Sequence, residues 1–247
     1  MTSAREQFGR TADAYVTSPQ HARGPDLARL LEIAAPRGDE TYLDVATGTG
    51  HTLRTFAPHV RRAIGLDLTP AMLAAAAREV AGAGTRADLV EAEVTAMPLR
   101  DRSVDLATCR IAPHHFPDVP GAFAEVARVL HPGALFLFVD NYAPDDPRHD
   151  GFINDLERLR DPSHVREHTL GGWVELLRAA GFDVDVVERW ETEIDVEDWL
   201  ARGGTAPDSA AEVRRRLAAA DEETRRVFSI GPGRFNLRKA ILAARRA

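Results

Sequence analysis

The stretch Thr41-Tyr-Leu-Asp-Val-Ala-Thr-Gly-Thr-Gly50 restricts the fold more than any other part of the chain. Tyr42, Leu43 and Val45 form a short apolar run of strand-forming residues, which breaks off in Ala-Thr-Gly-Thr-Gly. That run of small residues cannot continue a strand, and His51-Thr-Leu-Arg-Thr-Phe56 then reads as the first turns of a helix. Strand, glycine turn and helix start together make the first half of a nucleotide-binding βαβ unit. Glycine lets such a turn take positive φ and leaves no Cβ between backbone and ligand, while the helix N-terminus offers free N–H donors. On these residues alone, an ordinary strand-to-helix turn is the competing reading. The dinucleotide fingerprint G-x-G-x-x-G uses its third glycine for close helix–strand packing. Here His51, Thr52 and Leu53 follow Gly50, so that glycine is missing and a nicotinamide oxidoreductase is disfavoured.

The 247 residues suffice for one large domain with a well-buried core. No apolar run approaches a membrane span, and the start Met-Thr-Ser-Ala-Arg-Glu-Gln-Phe has no signal-peptide core. The single cysteine, Cys109, can form no internal disulfide, which suits a reducing compartment and a cytoplasmic protein. Net charge is −7, with both signs interspersed rather than gathered into a basic face, so nucleic acid is not the expected partner. The basic run Arg214-Arg-Arg216 falls in a predicted helix and reads as its solvated face. Of the 31 basic residues only Lys239 is lysine, which reads as a bias of composition.

The spacing of Phe8, Ala12, Tyr15 and Val16 predicts an amphipathic helix over 3–16, and Leu27, Leu30, Leu31 and Ala34 a second over 25–35. They serve either as a lid over a ligand, with Phe8 and Tyr15 as contacts, or as a cap on one sheet face. Strands follow over 62–67, 87–94, 103–110 and 135–140, with helices over 71–80 and 119–130 between them. The run 135–140 is continuously apolar, as a parallel strand covered on both faces requires. Asp67 closes its strand about 20 residues after the glycine turn, where a carboxylate accepts hydrogen bonds from vicinal ribose hydroxyls.

These residues resemble the class I S-adenosylmethionine-dependent methyltransferases. Asp44, Ala46, Gly48 and Gly50 match their first motif, an acidic strand residue followed by G-x-G-x-G, with alanine for the first glycine. Glu91-Ala-Glu-Val-Thr-Ala-Met-Pro-Leu-Arg-Asp101 is similar to G-D-A-x-x-L-P-F-x-D, and Ser103-Val-Asp-Leu-Ala-Thr-Cys-Arg110 to the fourth strand, S-F-D-x-V. Glu125-Val-Ala-Arg-Val-Leu-His-Pro-Gly is very like E-x-x-R-V-L-x-P-G before the fifth strand. The match runs well from Phe8 to about Asn141 and loosely beyond, closest to the small-molecule branch of ubiquinone and menaquinone C-methyltransferases.

The resemblance implies an α/β, doubly wound Rossmann-like sheet of seven strands, mostly parallel with one antiparallel strand near the C-terminus, under an N-terminal helical lid. It implies S-adenosyl-L-methionine as cofactor and S-adenosyl-L-homocysteine as product. Asp44, Ala46, Thr47, Gly48 and Gly50 are then expected at the cofactor, with Asp67, Leu68 and Met72 at the ribose side. Glu93 and Val94 are expected at the adenine, and Cys109, Arg110 and Tyr15 complete the set. His115, after the fourth strand, is the leading base, with His114 beside it; either can instead be a structural loop residue. A base is needed only where the nucleophile enters protonated.

One domain over 1–247 is expected: lid helices to 38, a cofactor core over 39–141, a substrate-side insertion over 142–170 and the rest of the sheet over 171–247. The polar insertion offers His164 and Arg166 as substrate contacts, joined by His115 and Asn141. His164 and His168 lack a third ligand, so no metal is expected. After it come a helix over 172–180, a strand over 182–190 and helices over 196–201 and 209–220. The alanine-rich segment 234–245 favours helix by propensity, whereas the family pattern places its antiparallel strand there after Gly231-Pro-Gly233. Arg-Ile-Ala-Pro stands where enzymes methylating nucleobase amino groups carry N-P-P-Y. The expected partner is therefore a small-molecule methyl acceptor, with no nucleic acid and no membrane span, and a homodimer left open. A cofactor-binding protein of the same fold with a regulatory role is the alternative function.

Overall fold

The computed structural model describes residues 5–9 and 24–247. Strands β1 (Thr41–Val45), β2 (Arg62–Asp67), β3 (Asp88–Glu91), β4 (Val104–Arg110), β5 (Leu130–Asn141), β6 (Phe182–Asp195) and β7 (Arg234–Arg246) form one sheet. Their order is β3-β2-β1-β4-β5-β7-β6. The pairs up to β5 are parallel, and β7 runs antiparallel to both β5 and β6. This is the expected sheet with its one reversed strand. The helices are α1 (Pro25–Ala34), α2 (His51–Phe56), α3 (Pro70–Gly82), α4 (Val119–Val129), α5 (Pro147–Arg160), α6 (Leu170–Ala179), α7 (Val196–Gly203), α8 (Pro207–Ala218) and α9 (Glu222–Val227).

Alternation along the strands sorts side chains to two buried faces. Leu43, Val45, Cys109, Phe136 and Phe138 pack with Phe123 of α4 and with Trp173 and Leu177 of α6. Tyr42, Leu106, Leu137 and Ile241 pack with Leu30, Leu53, Phe56 and Val80 from α1, α2 and α3. Helices therefore cover both faces, which is what doubly wound means.

The segment of β7 is a strand despite its alanines. Ala240, Leu242 and Ala244 face one core and Ile241 the other, between two strands that satisfy its backbone. Helix propensity differs by less than about 1 kcal/mol per residue, whereas burying one large aliphatic side chain contributes about 1.5–3 kcal/mol. His131-Pro-Gly133 lies inside β5 rather than before it; the register shifts between Val104 and Leu106, and Gly133 takes φ 78° at that irregularity. Helix α5 starts at Pro147 because Asp146 caps it, accepting from the backbone N–H groups of Arg148 and His149.

Pairing of β7 with β5 ends at Asn141 and Lys239, but β6 and β7 continue together to Asp195 and Arg234. This arm extends past the carboxyl end of β5, the edge where ligands bind in open α/β sheets. Its residues Ile194, Phe235 and Leu237 pack with Ile153 and Leu156 of α5 and Trp199 of α7 in a separate core. From the N-terminal segment, helical over residues 5–9, Gln7 Nε2 donates to the Gly203 carbonyl at 2.7 Å. Tyr15 lies outside the described residues. Among those described, no helix is long and apolar enough to cross a membrane.

Candidate active site at the carboxyl edge of the sheet

Two carboxylates hold the glycine turn. Asp44 accepts from Thr47 Oγ1 at 2.6 Å and from Thr108 Oγ1 at 2.7 Å. Thr108 has given its one hydroxyl proton, so the 2.5 Å contact with Tyr42 must be donated by the phenol. Burial pushes Asp44 up to about 6, against the pull of the two threonine hydroxyls. Asp67 accepts from the Gly48 N–H at 2.9 Å and the Thr69 N–H at 2.8 Å, so the end of β2 clamps the turn after β1. Burial raises its pKa also, opposed by those backbone donors. Ala46 sits at φ 53°, where the family pattern has glycine; a Cβ there costs about 1–2 kcal/mol.

Beside this turn lies a cavity of about 410 Å³, within the range of small-molecule and cofactor sites. Asp44, Ala46, Thr47 and Gly48 line it, as do Asp67, Leu68 and Met72. Glu93, Val94, Arg110 and His115 complete the lining among residues singled out in the sequence, with Phe8 over His115. A Cβ built on Gly48 meets nothing within 4 Å, so its backbone faces open space. Gly50 and Cys109 do not line the cavity. A Cβ on Gly50 would sit 2.8 Å from Cα and Cβ of Ala76, so that glycine lets α3 pack against the start of α2. The Cys109 side chain is in the core below.

Sequence reasoning missed Thr49, His51, Thr52, Thr69 and Thr95, each next to a motif residue, and Phe116 to Asp118 after the histidines. Adjacency to a motif is the only signal they carry. Glu125 and Arg128 have a structural part: Glu125 accepts from the Met97 N–H at 2.9 Å, and Arg128 donates to the carbonyls of Met97 and Leu99 at 3.0 and 2.8 Å. They fix the segment that follows Glu93 and Val94. Arg110 is bound by the buried carboxylate of Asp26 from α1, with Nη2 to Oδ1 at 3.0 Å.

The adjacent histidines differ. Asp140 accepts from the His114 backbone N–H at 3.0 Å and contacts its Nδ1 at 2.6 Å. Burial lowers the His114 pKa, but Asp140 outweighs it and pushes the group up to about 9. A ring held as imidazolium cannot accept a proton, so the Asp140 contact disfavours His114 as a base. His115 Nδ1 lies 3.2 Å from the Ser163 carbonyl, which can only accept. Nδ1 therefore carries the proton and Nε2 the lone pair. Burial, then the charge of His114, lowers the His115 pKa well below the usual value.

A smaller cavity of about 60 Å³ adjoins the first, and both are lined by Phe8, Ile111 and His115. Asn141 lines the smaller one; its Nδ2 donates to Glu167 at 2.9 Å. His164 and Arg166 line neither. His164 Nε2 donates to Asn154 Oδ1 at 3.0 Å in the interior, and exposed Arg166 pairs with Asp150 at 2.7 Å. Both belong to the internal bonding of the insertion. Among the described residues no group of three or more His, Cys, Asp or Glu side chains is placed to hold a metal.

Residues 43–138 match the family described as Methyltransferase domain. The uncharacterized methyltransferase YcgJ of Bacillus subtilis is 39% identical over 226 residues, covering 90% of this chain and 88% of that protein. The YcgJ crystal structure superposes with a TM-score of 0.85 at 36% identity, over 89% of this chain and 97% of that one. A crystal structure from Bacillus halodurans C-125 gives 0.87 at 34% identity, over 90% and 99%. The ubiquinone/menaquinone biosynthesis C-methyltransferase UbiE of Dinoroseobacter shibae is 33% identical over 116 residues, 45% of this chain and 46% of that one. With its sheet order, glycine turn and relatives in agreement, the chain belongs to the class I S-adenosylmethionine-dependent methyltransferases.

Proposed function

We propose that the larger cavity holds S-adenosyl-L-methionine and that a small organic acceptor meets it beside His115, leaving S-adenosyl-L-homocysteine and a methylated product. The observation that carries this reading is the pairing of Gly48 with Asp67, a turn with its backbone open to the cavity and clamped by the carboxylate that ends β2.

The residues fit the cofactor. Each Asp67 oxygen accepts one backbone N–H and keeps lone-pair capacity for ribose hydroxyls. Leu68, Met72 and Val94 offer apolar flanks for an adenine, and Glu93 an acceptor for its amino group. Asp44, Thr47, Gly48 and Arg110 form the end suited to the methionine part. When bound, the cofactor supplies a methyl group on a sulfonium, with a strongly activated leaving group.

The protein's own task is then to hold a nucleophile close and in line, which in favourable intramolecular cases contributes on the order of 7–11 kcal/mol. His115 does this by accepting a hydrogen bond at Nε2 from an acceptor hydroxyl or amine; its lowered pKa keeps that lone pair free. The quinone-pathway and sterol C-methyltransferases among the relatives support a small-molecule acceptor. The single cysteine, buried in the core, supports a cytoplasmic location.

Calorimetric titration with S-adenosyl-L-homocysteine, with NADH as control, tests the reading. Micromolar binding of the first alone is expected. Binding of NADH instead, or of neither, overturns it.

A further inference from the structure

The smaller cavity contains the one lysine of the chain, and among the described residues that lysine forms no hydrogen bond or ion pair, with Asp26 and Asp140 acting on it only from a distance. Lys239 lies on β7 opposite Asn141 of β5, just past the end of the parallel strands. It is 7% exposed and lines the 60 Å³ recess with three further cationic side chains, His114, Arg160 and Arg202, and one carboxylate, Glu157. Each of the other three cations has a carboxylate: Asp140 at 2.6 Å from His114, Glu157 and Asp161 at 3.8 Å from Arg160, and Asp198 at 2.9 Å from Arg202. Among the described residues no hydrogen bond or ion pair is formed by the Lys239 ammonium. Asn141 Oδ1, in the same wall, is also buried without a donor among the described residues. A buried ammonium is expensive unless an anion meets it.

We propose that the recess is a subsite for a compact oxyanion, a carboxylate or phosphate, carried by the methyl acceptor. This rests on the methyl-transfer reading above. The anion is recognised by Lys239, with Arg160, Arg202 and His114 around it, and a hydroxyl or bound water beside it satisfies Asn141 Oδ1. The recess shares Phe8, Ile111 and His115 with the larger cavity, so a molecule anchored here has its nucleophile presented at the His115 wall. The recess is too small for the cofactor but has room for a carboxylate, since about 10–15 Å³ of such cavity volume already holds one water.

Because Lys239 is the only lysine, protein grown with [ε-13C]lysine gives one side-chain NMR signal. Acetate, malonate and inorganic phosphate are titrated into protein saturated with S-adenosyl-L-homocysteine, with acetamide as neutral control. A saturable millimolar shift with a carboxylate or with phosphate is expected, and which of them acts identifies the anion. Acetamide is expected to leave the signal in place. Lys239→Met is expected to bind S-adenosyl-L-homocysteine unchanged by calorimetry while losing stabilisation by the active anion in thermal unfolding. No shift with any anion overturns the proposal, as does an anion response that S-adenosyl-L-homocysteine abolishes or a Lys239→Met variant that loses affinity for it. If the wild type binds no S-adenosyl-L-homocysteine, the methyl-transfer reading fails while the anion titration still reports on the recess.

Discussion

The His114 and His115 rings lie 4.2 Å apart, and their surroundings favour the imidazolium form of the first and the neutral form of the second. Asp140 makes the difference: it touches the first ring and not the second. Burial, reinforced by the imidazolium so formed, holds its neighbour neutral, which leaves an acceptor at the cavity wall.

The pair has a measurable pH signature. The folded pKa of His114 is about 9, raised from 6.5. Its stabilising contribution is therefore complete below about pH 6.5 and is lost as pH rises through 9. Asp140→Asn keeps an acceptor oxygen but removes the charge. Wild-type melting temperature is expected to fall between pH 6.5 and 9 more steeply than that of the variant, measured by calorimetry at matched ionic strength.

The two glycines of the turn should separate under substitution. Gly48→Val places its side chain in the open cavity, where φ 53° strains a β-branched residue but nothing clashes with its Cβ, so S-adenosyl-L-homocysteine binding is expected to vanish in a protein that still folds. Gly50→Ala drives a Cβ to 2.8 Å from the Ala76 backbone at φ 84°, with an expected loss of about 2–4 kcal/mol of stability in urea. Equal behaviour of the two variants in binding and unfolding would contradict this division.

Asp67→Ala is expected to weaken S-adenosyl-L-homocysteine binding at least about tenfold, through lost charge-assisted hydrogen bonds to the ribose. It also strips the Gly48 and Thr69 N–H groups of their acceptor, so a lower melting temperature accompanies the loss. Unchanged affinity removes Asp67 from the site.

Buried without an ion pair among the described residues, Lys239 is expected to cost the protein stability. Burial, with Arg110 next in effect, depresses its pKa to about 8 from 10.5. The penalty, on the order of 3 kcal/mol, is full below about pH 8 and disappears as pH rises to the unfolded value. Lys239→Met is expected to raise the melting temperature at pH 7 and to raise it less at pH 10, read by thermal unfolding at the two values.

The sheet was legible because its period-two apolar runs and the glycine turn are local properties, from Tyr42 through Asp67 to Phe138. The helix-favouring alanines of β7 mislead alone, since what makes a strand there is its place between β5 and β6. Gly50 and Cys109 could not be told from ligand contacts by spacing, because a glycine needed for helix packing and one needed by a ligand occupy the same motif. His164 and Arg166 had the chemistry of a binding loop, but Asn154 and Asp150 engage them within the insertion. The recess around Lys239 has no sequence signature at all. Its walls come from residue 8, from α5 and α7 and from β7, brought together by the arm of β6 and β7.

Among the described residues the two cavities share Phe8, Ile111 and His115; the rest of the first comes from residues 44–118, and the rest of the second from His114 and residues 141–239. Donor and acceptor recognition are thus written on separable lengths of chain that meet at a three-residue seam. A crossover after Asp140 would graft a new acceptor specificity onto an intact methyl-donor half, so recombination rather than point mutation is the natural route to changing what such a protein methylates.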